Sequence, residues 1–149
     1  VKKEDVKKVS DLWESMGSRV KIMSISEHDQ ILSLTSHLPH VIAYNIVKTS
    51  MSNGDKLKKD IIRYSAGGLR DFTRIAASDP IMWKDIFIDN SDLIIHAIDN
   101  FEKNLAELKN AIKAKDSKKL LDIFEKSKEF RDAVIKAGQD TDKPDFGRK

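Results

Sequence analysis

The feature that most constrains the fold is a run of apolar residues in the second half of the sequence. These residues are Ile94, Ile98, Phe101, Leu105, Leu108 and Ile112, which recur in steps of 4, 3, 4, 3 and 4. This heptad spacing places all of them along one side of a helix roughly 30 Å long. Such a seam needs a partner helix. The last predicted helix, from Lys118 to Ala137, is one candidate, and a second copy of the chain is the other.

The composition indicates one helix-rich globular domain. The chain has 149 residues, 40% hydrophobic and 34% charged, and a formal net charge of +3. No apolar run approaches the roughly 18 to 20 residues of a membrane-spanning helix, and nothing directs the chain away from the cytoplasm. Lysines are interspersed with acidic residues, which argues against a nucleic-acid interface. The sequence contains no cysteine, so disulfides and thiolate metal sites are excluded.

The first two dozen residues differ from the rest. Residues 4–16 have the apolar spacing of a helix that Gly17 would end, and Arg19 to Ile22 alternate like a short strand. A lone strand has no sheet to join elsewhere in this all-α sequence. We therefore expect residues 1–24 to be the tail end of a preceding α/β domain or its linker, residues 25–138 to form a helical domain, and residues 139–149 to form a polar tail.

A strongly apolar helix follows. Ser26 is its predicted N-cap, with Asp29 as the first-turn partner. Pro39 lies inside the helix, where it should bend the axis and free carbonyl groups near Thr35 and Ser36. Because more than half of the circumference is apolar, we expect this helix to lie at the centre of a bundle.

The same helix carries three histidines, His28, His37 and His40. His37 and His40 share a face, whereas His28 should point the other way. Their spacing, without a suitable third ligand, is poor for a metal site. The pair at the kink is either a set of hydrogen-bonded core residues or a ligand contact, and both interpretations stay open.

Turn and cap signals divide the middle of the chain into short helices. The signals predict four helices. Asp55 opens the first, from Lys56 to Ala66, which Gly67-Gly68 stops, and the second runs from Asp71 to Ala77. Asp79-Pro80 starts the third, and Ser91 caps the long fourth helix.

The stretch from Gly67 to Trp83 is the best candidate for a binding site. Glycine lets a ligand approach the backbone, and Arg70 and Arg74 lie four residues apart on one helix face. Arginine binds carboxylates or phosphates through two parallel hydrogen bonds. Structural ion pairs with nearby aspartates are the alternative. The sequence shows no phosphate-binding loop, no GxGxxG and no supported Ser-His-Asp set, so it lacks catalytic machinery of its own.

These motifs resemble a known family. Ser36-His37-Leu38-Pro39-His40, Gly67-Gly68-Leu69-Arg70-Asp71-Phe72-Thr73-Arg74 and Ser78-Asp79-Pro80 with Trp83 closely resemble the C-terminal domain of prephenate and arogenate dehydrogenases. The resemblance covers roughly residues 1 to 137. It implies an all-α dimerisation domain of the prephenate dehydrogenase type, preceded in the family by a nucleotide-binding domain. The segment after Gly138 is similar to the cyclohexadienyl branch, which accepts either substrate.

The resemblance also implies a function. In this family the enzyme oxidatively decarboxylates prephenate or arogenate in tyrosine biosynthesis, and the missing domain binds NAD or NADP and supplies the base. It implies that this chain binds the dicarboxylate substrate and forms a homodimer, without cofactor, metal, nucleic acid or membrane. The implied contacts are Arg74 to the ring carboxylate, His40 and His37 near the side chain, Gly67 through its backbone, and Trp83 as a wall.

Supporting roles follow for His28, Asp29, Arg70 and Asp71, and Arg70 can pair with Asp29 across the dimer. We expect the chain alone not to be catalytic. A different class of function also remains open, namely a stand-alone helical regulatory module that binds an anionic metabolite through the same cleft. A GxGxxG motif in a preceding segment of roughly 150 residues would favour the dehydrogenase.

Overall fold

The computed structural model describes residues 2–52 and 54–140. Within these residues the chain is helical and contains no strand. The α-helices are α1 (Lys3–Ser15), α2 (Ile25–Leu32), α3 (Leu38–Met51), α4 (Asp55–Arg63), α5 (Gly67–Ala76), α6 (Pro80–Asp89), α7 (Ser91–Ala114) and α8 (Ser117–Lys136). A π-helical segment, Ser33–His37, joins α2 to α3. The all-α prediction is confirmed.

The N-terminal segment is helical where predicted, but its strand is absent. Gly17 follows α1 with a φ of +87°, a conformation that favours glycine. Residues 18–24 have no regular secondary structure, so the predicted strand from Arg19 to Ile22 is wrong. A strand needs a hydrogen-bonded neighbour, which the described residues do not supply. Three apolar side chains of α1, those of Val9, Leu12 and Trp13, are more than half exposed.

The histidine helix starts two residues earlier than predicted. Ser24, not Ser26, is the N-cap, and its side chain accepts a hydrogen bond from the Glu27 amide. The π-helical segment lies directly before Pro39, where the Leu38 amide donates to the Ser33 carbonyl. Pro39 has no amide hydrogen to donate to the preceding turn, and the helix there widens to π geometry. The predicted disturbance at Pro39 therefore takes this form.

The two glycines start a helix rather than stopping one. α4 ends at Arg63, and Gly67 and Gly68 are the first two residues of α5. The extended backbone of Ala66 separates the two helices, with φ −87° and ψ 172°. The predicted stop was wrong. Glycine is most common just after a helix end but also occurs at helix starts, so a glycine pair alone does not distinguish the two. α5 packs along α3.

In the second half of the chain, α7 and α8 form a helical hairpin, and α6 meets α7 at a corner. Asp79 caps α6 by accepting hydrogen bonds from the amides of Ile81 and Met82, as predicted. Asn90, rather than Ser91, occupies the N-cap position of α7.

Lys119 on α8 pairs with Glu107 on α7 at 2.5 Å. This ion pair raises the pKa of Lys119 and lowers that of Glu107, chiefly through their hydrogen bond.

The C-terminal end of α8 follows the prediction as far as it is described. Gly138 ends the helix with a φ of +71°. Arg131 donates a hydrogen bond to the Asp140 carboxylate at 2.8 Å. The remainder of the predicted polar tail, residues 141–149, lies outside the described residues.

The core lies where the π-helical segment, α3, α6 and the first turns of α7 meet. The buried residues there are Ser33, His37, Ala43, Trp83, Ile94 and Ala97. The predicted heptad seam is helical throughout, but Ile94 is its only buried member, and Leu105 and Ile112 are at least half exposed. None of the described helices is both long and apolar enough to span a membrane.

Candidate functional site

An indole and two imidazoles form the centre of the candidate site. The ring of His40 stacks on Trp83 with centroids 3.5 Å apart and planes inclined by 20°. The ring of His37 meets the same indole edge-on, at 6.1 Å and 80°. Trp83 is only 6% exposed. The structure therefore brings together three of the five predicted binding residues.

Two further aromatic residues extend this cluster. Phe87 lies 5.6 Å from Trp83, and Tyr44 meets Phe87 edge-on at 6.4 Å. The Tyr44 hydroxyl donates to the Ser78 carbonyl at 3.3 Å. Sequence reasoning did not single out Tyr44 or Phe87 for the site. The signal was present, because each lies four residues after His40 or Trp83 on its own helix and so shares its face.

The two site histidines are held by different partners. Nδ1 of His40 lies 2.9 Å from the Ser36 carbonyl oxygen, in the turn that Pro39 disturbs. Nδ1 of His37 lies 3.2 Å from the side-chain nitrogen of Asn90. Burial lowers the pKa of His37, and the nearby charge of Asp29 opposes that effect. Burial therefore favours the neutral form of His37.

Asn90 also binds the backbone of α2. Its side-chain nitrogen lies 3.1 Å from the carbonyl oxygen of Asp29. Asn90 stands at the corner between α6 and α7, so one side chain ties that corner to both α2 and His37. The sequence gives no sign of this role, since no local pattern marks a contact between residues 61 positions apart.

Trp83 has one unsatisfied polar group. Its indole nitrogen is buried and has no hydrogen-bond partner among the described residues. An unpaired buried donor costs about 1–3 kcal/mol. The rest of the Trp83 packing must offset that cost, which fits a side chain that is fixed by its stacking partners.

His28 does not join the cluster. Its Nδ1 lies 2.9 Å from the carboxylate of the adjacent Asp29, and the two side chains are 56% and 39% exposed. The prediction that His28 points away from His37 and His40 matches this arrangement. The supporting role of Asp29 takes an unpredicted form here, since its backbone carbonyl holds Asn90.

The arginines lie on the helix that packs along α3. Arg74 approaches Asp71 only at 3.9 Å, and both side chains are about 60% exposed. A pair this long and exposed contributes little to stability. Arg70 is exposed on the same helix. Its predicted pairing with Asp29 of a second chain stays a prediction, because the structure contains one chain.

The start of α5 leaves backbone groups available. A Cβ added to Gly67 or Gly68 would meet no atom within 4 Å. The preceding residue, Ala66, makes no side-chain cap, and the first turn contains no acidic residue. The first amides of a helix attract anions when nothing caps them. The described residues contain no group of three or more His, Cys, Asp or Glu side chains that could hold a metal ion.

Comparisons with known proteins identify relatives that match this chain over part of their own length. Cyclohexadienyl dehydrogenase from Zymomonas mobilis is 42% identical over 126 residues, which cover 85% of this chain and 43% of that protein. Prephenate dehydrogenase from Bacillus subtilis is 32% identical over 132 residues, covering 89% and 35%. The chain therefore spans less than half the length of these curated relatives.

Solved structures share the fold. A prephenate dehydrogenase from A. aeolicus in complex with hydroxyphenyl propionate and NAD+ is 38% identical with a TM-score of 0.81, over 90% of this chain and 46% of that one. Synechocystis arogenate dehydrogenase matches with a TM-score of 0.77 at 18% identity, over 89% and 48%, a likeness of fold alone.

Fold and matches together define the class, an all-helical domain of the kind found in these dehydrogenases. More particularly, the chain belongs to the family described as prephenate dehydrogenase, dimerization domain, whose model matches residues 24–126. The family resemblance inferred from the motifs is thereby confirmed. The matched region begins at the cap of α2 and leaves out α1.

Proposed function

We propose that this chain is the substrate-binding and dimerisation part of a longer enzyme that oxidatively decarboxylates prephenate or arogenate. The observation that carries the proposal is the partial match. Relatives with this activity in their names are more than twice as long as the segment they share with the chain. The shared segment supplies binding groups but no nucleophile, base or dinucleotide loop, so a preceding domain would provide the base and bind NAD or NADP.

The proposed substrate contacts use the two ends of α5 and the aromatic cluster. Arg74 binds the ring carboxylate through its guanidinium group, and the Gly67 backbone contacts the opposite end of the substrate. Residues 67 and 74 are seven positions apart on one helix, or about 10 Å at 1.5 Å per residue. That separation has the dimensions of a small dicarboxylate. The weak pairing of Arg74 with Asp71 leaves its guanidinium available for a ligand.

The histidines and Trp83 complete the pocket in this proposal. His40 and His37 face the substrate side chain, and Trp83 forms the wall on which His40 is stacked. Asp71 orients Arg74, while Arg70, His28 and Asp29 have supporting roles. NAD or NADP bound by a preceding domain would supply the hydride-accepting chemistry. The residues of this chain hold the ring in place while carbon dioxide leaves and the ring becomes aromatic.

The test is substitution of Arg74 in the full-length enzyme. Arg74→Ala should lower kcat/KM for prephenate or arogenate. The decrease should correspond to about 2–4 kcal/mol of lost transition-state stabilisation, because the desolvated substrate carboxylate loses its charged partner. Steady-state kinetics with both substrates and both cofactors measures the effect. Arg63→Ala is the matched control, since that guanidinium lies over the Tyr64 ring on α4, 5.5 Å from its centroid. Unchanged kcat/KM in Arg74→Ala would overturn the assignment.

We further propose a homodimer through α7 and α8. The family description names dimerisation, and both helices expose large apolar side chains that a partner could bury. These side chains are Leu105, Ile112, Leu121, Phe124 and Phe130, each at least half exposed. Exposed apolar area on this scale is characteristic of an interface rather than of a free surface.

A further inference from the structure

The hydrogen-bond partners of Asn90 fix the orientation of its amide group. The Asp29 carbonyl oxygen, 3.1 Å away, can only accept a hydrogen bond, so the atom of Asn90 that faces it must be the NH2 group. The reverse orientation would place two oxygen atoms against each other. The same NH2 group has a second hydrogen, which is directed at Nδ1 of His37, 3.2 Å away.

This arrangement determines which nitrogen of His37 carries its proton. An Nδ1 that accepts from Asn90 cannot itself bear hydrogen, so the proton of neutral His37 must lie on Nε2. The neutral form is favoured because His37 is 7% exposed. The opposite holds for His40, whose Nδ1 must donate to the Ser36 carbonyl at 2.9 Å and whose Nε2 therefore carries a lone pair.

We propose that Asn90 is a positioning residue that holds His37 as the Nε2–H tautomer, so that His37 donates and His40 accepts at the substrate side chain. The consequence for substrate choice rests on the proposed function. A 2-keto acid presents oxygen acceptors, which suit the Nε2–H of His37. A 2-amino acid adds an ammonium donor, which suits the lone pair of His40. The pair thereby offers complementary contacts to a keto acid and to its amino counterpart.

The chain contains a matched control for this arrangement. Asn100 and His96 form a second Asn–His pair, with 3.1 Å between the asparagine nitrogen and Nε2. That pair is exposed on α7. Asn100→Asp thus makes the same chemical change as Asn90→Asp at a pair outside the site.

The first experiment records long-range proton–nitrogen NMR spectra of the histidine rings in this chain. Wild type should show His37 protonated at Nε2. Asn90→Asp replaces the donor by an acceptor and should move the proton to Nδ1, and Asn90→Ala, which removes the donor with less disturbance of folding, should give a mixture. Asn100→Asp should leave His37 unchanged. An Nδ1–H tautomer in wild type, or no change in either Asn90 variant, would overturn the proposal.

The second experiment measures kinetics in the full-length enzyme. Asn90→Asp should raise KM for the keto-acid substrate by about tenfold or more with a smaller change in kcat, because the lost contact is a hydrogen bond to a charged or polar oxygen. Asn90→Ala, which leaves a mixture of tautomers, should raise KM by a smaller factor. Asn100→Asp should behave as wild type. Unchanged KM beside an altered tautomer would reject the substrate contact. An enzyme inactive on both substrates would refute the proposed function instead, while the NMR result would still decide the role of Asn90.

Discussion

The aromatic pocket and the α7–α8 hairpin use apolar residues in opposite ways. In the pocket, Trp83 is 6% exposed and contacts three other rings. In the hairpin, Phe124 is 56% exposed, and α8 has no buried residue. The ring packing around Trp83 is made within one chain, whereas the exposed apolar side chains of the hairpin belong to the proposed dimer interface.

This difference separates two contributions to stability. Burial of apolar area stabilises the pocket within the single chain, by about 25 cal/mol for each Å² removed from water. The hairpin gains the same stabilisation only when a second chain covers it. Its stability then depends on protein concentration. Substitutions in the two regions should therefore fail in different assays.

The largest effect is expected in the pocket. Trp83→Ala removes the surface on which His40 stacks and leaves a cavity, so the free energy of unfolding should fall by about 3–5 kcal/mol. Chemical denaturation followed by circular dichroism measures it. The matched control is Trp13→Ala, since Trp13 is 53% exposed on α1 and should change stability by about 0.5 kcal/mol or less. Equal losses of unfolding free energy in the two variants would mean that Trp83 stabilises the fold no more than the exposed Trp13 does.

A smaller effect, visible in a different assay, is expected in the hairpin. Phe124→Asp places a charge in the proposed interface and should weaken self-association by about 2 kcal/mol or more. Sedimentation or light scattering at tens of micromolar should then report a monomer mass, and the dependence of Tm on protein concentration should disappear. Tyr64→Asp is the control, because Tyr64 directly follows α4 and is 70% exposed. A dimer that survives Phe124→Asp, or that Tyr64→Asp dissociates, would place the interface elsewhere.

Local sequence signals predicted some elements of the fold correctly and others wrongly. Local signals were sufficient for the hairpin helices and for α6, since a heptad spacing and an Asp79-Pro80 start act within a few residues. They were insufficient at Gly67-Gly68, where the same residues can end or begin a helix. They also failed for the strand at Arg19, because alternation is weak evidence without a neighbouring strand.

The site shows the same limit. His37, His40 and Trp83 were singled out from their motifs, but the arrangement of their rings was not. The contacts of Asn90 with Asp29 and His37 bring together residues more than fifty positions apart. Only the packing of α7 on the π-helical segment determines that they meet. Such tertiary contacts leave no periodic pattern in a single sequence.

The smallest expected effect concerns pH and sharpens the description of the pocket. Burial lowers the pKa of His37, with His28 and His40 lowering it further and Asp29 raising it. The unfolded chain therefore binds this proton more readily than the folded one. The stability from neutral His37 should be complete above about pH 6.5 and should decrease as the pH falls below that value toward the folded-state pKa.

The measurement compares the free energy of unfolding of wild type and His37→Gln between about pH 7.5 and 5, a range that spans the ordinary histidine pKa. The advantage of wild type should shrink as the pH falls. Repeating the series at about 0.5 M salt separates the causes, since salt screens the charge of Asp29 but leaves desolvation in place. The decrease should therefore persist in salt. An advantage that grows at low pH would mean that the pocket favours protonated His37, and that Asp29 outweighs burial.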